Sequence, residues 1–136
     1  MFAGEPLVMM SAGTRHTAGV TKDGALWSWG HGGYRQLGHG DCEPRQRPEW
    51  VGREMFGGSS AVMVACGRCH MVVLTVMGLV WSCGNRASGR LGHGDTADQL
   101  VLTLVAAEWF GGAPRQMVMV AGGGAHSVAL EAEGRV

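Results

Sequence analysis

Residues 13–41, GTRHTAGVTKDGALWSWGHGGYRQLGHGD, return as residues 67–95, GRCHMVVLTVMGLVWSCGNRASGRLGHGD. Gly13, His16, Gly24, Trp27, Gly30, Leu37 and Gly38 fall on Gly67, His70, Gly78, Trp81, Gly84, Leu91 and Gly92 at one offset of 54 residues, without a gap. The same register carries Glu54 and Phe56 onto Glu108 and Phe110, and Phe2 holds the Phe56 position one unit earlier. A third copy starts at Phe110, gains two residues before Val118, and presents Gly123, His126 and Gly134 before the chain reaches Val136. The units are therefore about 2–55, 56–109 and a truncated 110–136. A fixed period of this size marks a repeat architecture, in which one supersecondary unit buries its apolar face only by stacking on a neighbour.

Within a unit the pattern predicts strands. Val8 to Ala12 and Val62 to Ala65 are short apolar runs that enter Gly13 and Gly67, and Thr17 to Thr21 and Met71 to Val76 follow the repeated His. Lys22, Asp23 and Gly24 form a hairpin signal, since Asp-Gly supplies the positive backbone angles of tight turns. Gly78 and Gly134 keep the glycine alone. Leu26 to Trp29 and Val80 to Cys83 read as a third strand, with Leu26, Ser28, Val80 and Ser82 on one face and Trp27, Trp29, Trp81 and Cys83 on the other. Trp27 and Trp81 are expected to be buried. The glycine-dense stretches Gly30 to Asp41 and Gly84 to Asp95 predict tightly folded loops, and a fourth segment is expected near Pro48 to Met55 and Leu100 to Trp109. The expected fold is all-β, a partial β-propeller of two four-stranded blades plus an incomplete third.

Composition narrows the function. Hydrophobic residues make up 46% of the chain and charged residues 16%, which argues for a folded domain. Eleven basic residues balance eleven acidic ones, so there is no footprint for direct nucleic-acid binding. Arg35, Arg45, Arg47 and Arg53 lie among Asp41, Glu43, Glu49 and Glu54, a solvated mixed-charge connection rather than a basic patch. Met1 to Glu5 carries no positive leader region and no apolar run approaches the roughly 18 residues of a membrane span, so the expectation is an intracellular protein, cytoplasmic or nuclear, with no membrane partner. Cys42, Cys66, Cys69 and Cys83 sit at unrelated points of the repeat and read as reduced thiols.

The pattern of Gly13, His16, Asp23, Gly24, Trp27, Ser28, Trp29 and Gly30, then Gln36, Leu37, Gly38, His39, Gly40 and Asp41, resembles the repeat of the regulator of chromosome condensation. The resemblance covers two complete units and the first half of a third. It implies a seven-bladed propeller and a set of roles that includes exchange factors for a Ran-type GTPase, accessory segments of ubiquitin ligases and a plant UV-B photoreceptor. Most members are binding scaffolds. Two departures follow. The photoreceptor carries Trp in its Gly-Trp-Arg-His-Thr stretches, where this chain has Thr14 between Gly13 and Arg15, so light sensing is not expected. The repeats present are too few to close a seven-unit ring, and the expectation is a fragment, or a chain that self-associates or docks with further propeller blades.

Cys66, Gly67, Arg68, Cys69 and His70 fit the Cys-x-x-Cys-His spacing of c-type haem attachment. The repeat explains the motif otherwise: Gly67 and His70 belong to every unit, and the two cysteines occupy positions held elsewhere by Ala12 and Arg15 or by Gly122 and Ala125. Zinc fares no better, because adjacent Cys69 and His70 point to opposite faces of a strand. His16, His70 and His126 are read as core histidines that hydrogen-bond backbone between blades, and His39 and His93 as loop-packing residues. Gly122, Gly123 and Gly124 lack the Gly-Lys-Ser/Thr continuation of a phosphate loop. The reading therefore assigns no catalytic, cofactor-binding or metal-binding residue and leaves the binding residues unassigned. The leading function is a non-enzymatic protein-interaction scaffold, with guanine-nucleotide exchange on a small GTPase as the alternative and an accessory segment of a ubiquitin ligase as the third.

Overall fold

The computed structural model describes residues 4–85, 90–94, 99–106, 116–134 and 136. Glu108, Phe110, Phe2, Asp95, Gly89 and Trp109, all used in the sequence reading, lie outside them. Strands β1 (Leu7–Ala12), β2 (His16–Thr21), β3 (Leu26–Gly30) and β4 (Arg45–Val51) form one antiparallel sheet in chain order, followed by a 3-10 turn over Arg53–Phe56. Strands β5 (Ala61–Cys66), β6 (His70–Thr75), β7 (Val80–Gly84) and β8 (Gln99–Leu104) repeat the arrangement, and β9 (Met117–Gly122) pairs with β10 (Ser127–Glu131). Register repeats with sequence: Gly19 faces Trp27 as Val73 faces Trp81, and His16 faces Gly30 as His70 faces Gly84. Strand β5 packs between β1 and β9, so successive sheets stack through their first strands, and the all-β partial propeller expected from the repeat is the observed architecture. No described helix is long and apolar enough to cross a membrane.

The second sheet lies between two cores. Met71 and Val73 of β6 join Ala18, Val20, Leu26 and Val51 of the first unit, whereas Val72 and Leu74 join Met117 and Val120 of the third. A strand covered on both faces has no solvent side, which is why β6 reads as an unbroken apolar run. Backbone crosses the junctions in register. Ala61 N–H donates to Gly24 O at 3.0 Å and Met117 N–H to Gly78 O at 3.1 Å. A β-carbon on Gly13 would overlap Gly67 O, and one on Gly67 would overlap His70 and lie 2.5 Å from Gly123 O. These glycines let three turns approach one another in a column.

Four expectations are corrected. Trp27 and Trp81 are half-buried, not buried; they occupy equivalent places on the third strand, each beside an exposed partner on the fourth, Trp50 and Leu104, and Trp81 packs against Gly57 of the preceding turn. The fourth strand begins earlier and stops at Val51, because the chain turns into the 3-10 segment that buries Phe56. In the first hairpin Gly24 alone has a positive φ, with its N–H donating to Thr21 O; Asp23 stays in an ordinary conformation. His126 is exposed, unlike His16 and His70, and no described residue covers it.

Candidate binding site on the loop face

Each four-stranded sheet sends the ends of its first and third strands to the same side. The turn at 13–15, the loop at 31–44 and the turn at 67–69 therefore meet on one face, at the junction of the first two units. Gly30 (φ 108°) and Gly84 (φ 118°) make the exits possible, since a β-carbon there would lie 2.6 Å from Arg15 O and 2.5 Å from Cys69 O.

Hydroxyl and imidazole pairs tie the loops to the strands beneath them. Ser28 Oγ donates to Leu37 O at 2.7 Å and lies 3.0 Å from His39 Nε2. One repeat later Ser82 Oγ donates to Leu91 O at 2.6 Å and lies 2.9 Å from His93 Nε2. A third pair spans the second junction: His70 Nε2 is 2.9 Å from Ser127 Oγ, which donates to Arg90 O at 2.6 Å. In each pair the single hydroxyl proton goes to a carbonyl, so the imidazole Nε2–H must be the donor to the hydroxyl oxygen. That is the reverse of a nucleophile activated by a histidine base. Burial also pushes the proton affinity of His39 and His70 down, His70 to about 4.

The Cys-x-x-Cys-His residues do not converge. Cys66 sits in the core against the first sheet, its N–H accepted by Ser11 Oγ at 2.9 Å and its thiol pushed up to about 12 by burial. Cys69 faces the loops, and His70 is buried with its Nε2 committed to Ser127. Among the described residues no three His, Cys, Asp or Glu side chains converge on one point that would hold a metal.

A cavity of about 180 Å³ opens on the loop face. Thr14 and Arg15 line it from the first turn, His31, Tyr34 and Gln36 from the loop, and Arg68 and Cys69 from the second unit. The rings of His31 and Tyr34 meet edge to face at 5.7 Å. Gln36 Oε1 accepts the Tyr34 N–H at 2.9 Å, which fixes the amide with Nε2 at the other end. Glycine turns and an inward-facing Leu37 mark such a loop in a sequence, but the cavity needs the second unit's turn beside it, a relationship no single repeat contains. Outside it, Arg45 clamps Asp41 through both guanidinium nitrogens at 3.2 and 2.8 Å, which lowers the Asp41 carboxyl and closes the loop's far end.

The pattern of the Regulator of chromosome condensation (RCC1) repeat matches residues 23–74 and 77–130. The Ultraviolet-B receptor UVR8 of Arabidopsis thaliana is 37% identical over 135 residues, 99% of this chain and 29% of that protein. Protein RCC2 homolog of Danio rerio is 35% identical over 121 residues, 89% of this chain and 23% of that protein. The chain thus spans less than a third of the length of these curated relatives. The crystal structure of human WBSCR16 superposes with a TM-score of 0.82 at 27% identity, covering 96% of this chain and 33% of that one.

Proposed function

The chain belongs to the regulator of chromosome condensation repeat family, and on that premise we propose that it serves as a non-enzymatic protein-interaction scaffold whose partner contacts the loop face. One observation carries this reading: the exposed Arg15, Tyr34 and Arg68 surround a cavity whose loops are locked from beneath by the Ser28 and His39 pair. Rigid loops on a sheet scaffold are the usual place for recognition, because little ordering entropy is lost when a partner docks. The inverted polarity of the Ser and His pairs supports binding over hydrolysis.

The test is capture of partners on the immobilised chain, followed by competition with variants. Arg15→Glu and Tyr34→Ala alter the loop face, whereas Lys22→Glu and Met77→Ser alter the hairpin turns at the opposite ends of the strands. The scaffold reading expects a partner that loop-face variants lose and hairpin-face variants keep. Guanine-nucleotide exchange is the alternative, and accelerated nucleotide release from a Ran-type GTPase would favour it. Attachment of a captured partner to ubiquitin-transfer machinery would favour the ligase-accessory reading.

A further inference from the structure

We propose that the cavity between the first two units binds an oxyanion, and that its ligand is a carboxylate carried by an acidic peptide segment. This rests on the loop face being the binding face and adds the chemistry that the face recognises. The lining contains donors and no acid. Arg15 and Arg68 are exposed, permanently charged, and engaged in no ion pair with a described residue. Gln36 lines the same cavity yet is only 1% exposed, and its Nε2 has no acceptor among the described residues. Because Oε1 is held by the Tyr34 N–H, the amide cannot turn over to present an acceptor instead. A buried N–H donor in a lining that also carries two arginines and no acid matches a group that only accepts.

The repeat sharpens the point. Arg90 stands where Gln36 does one unit earlier, and both are nearly buried. What the two share is an N–H donor, not an amide. The cavity, about 180 Å³, holds more than one water-sized group, so an oxyanion enters with part of its stem. Tyr34, 46% exposed at the rim, offers an aromatic surface for that stem, which a bare ion would not use.

The test uses the full 136-residue chain, labelled with nitrogen-15, and reads the Gln36 side-chain amide by NMR. The probes are acetyl-Gly-Glu-Gly-amide, its isostere acetyl-Gly-Gln-Gly-amide, and inorganic phosphate. The Glu peptide should move the Gln36 amide saturably, the Gln peptide at least tenfold more weakly, and Arg15→Gln with Arg68→Gln should weaken the Glu peptide tenfold or more. Both arginines are exposed, so these variants leave the core untouched. No saturable change at Gln36 with any probe, or equal shifts with both peptides, would overturn the proposal. Saturation by phosphate without the Glu peptide would overturn the peptide as ligand. If the Glu peptide shifts only other loop-face residues, the cavity is wrong while the loop-face reading stands.

Discussion

His16 Nε2 donates to the carbonyl oxygen of His70 across 3.1 Å, so the histidine position of one repeat is tied to the same position of the next. Both rings are buried. Replacing His16 by Ala removes the donor and opens a cavity at the junction, while His70→Ala also releases Ser127. Each should lower stability by about 1–3 kcal/mol, with His70 the worse. Urea unfolding checks this, and a harmless His70→Ala would contradict it.

The same histidines predict an acid-sensitive fold. Burial lowers the pKa of His16 and holds that of His70 at about 4, and neither Nδ1 has a partner among the described residues to take a second proton. Unfolded, each would titrate near 6.5. Below pH 6.5, and for His70 down to about 4, the unfolded chain therefore binds protons that the folded chain refuses. As far as these histidines are concerned, stability should be level from about pH 7 to 8 and fall as pH drops below 6.5, by up to about 1.4 kcal/mol per pH unit for each histidine while it remains unprotonated in the folded chain. Unfolding curves at pH 7.5 and 5.0 test this; equal or greater stability at pH 5.0 would refute it.

The glycine column gives a paired test. Gly67→Ala would drive a methyl group into His70 and the Gly123 carbonyl, whereas Gly124→Ala meets open space. The first should cost about 1–3 kcal/mol and the second close to nothing. Thermal unfolding of the two variants separates a packing requirement from a mere turn preference.

Thiol chemistry should follow burial. Cys42 is exposed, Cys69 half-buried, and Cys66 and Cys83 lie in the core with their thiol pKa values raised. Alkylation at pH 8 should modify Cys42 first and Cys69 second, reaching Cys66 and Cys83 only in denaturant. Mass spectrometry of the native protein decides, and early labelling of Cys66 would revive a redox role for the Cys66 and Cys69 pair.

Most of the fold was legible because both of its periods are written in the chain. The alternation of Leu26, Trp27, Ser28 and Trp29 identified a strand, and the return of that strand at Val80 identified a stack. Burial was harder to read. Val8 and Met10 are 60% and 57% exposed, yet Val64, which repeats Met10, is fully buried because the first sheet covers it. Equivalent sequence positions differ in having a neighbour, and the same cause leaves His126 exposed. The cavity escaped for a related reason: Gln36 and Arg68 come from different units, and a repeat alignment places them in separate columns.

The scaffold account is tested most directly by the partner competition on the loop face. A captured partner should be released by Arg15→Glu and Tyr34→Ala and retained by Lys22→Glu and Met77→Ser. Retention by the loop-face variants, with release by the hairpin-face pair, would contradict the account.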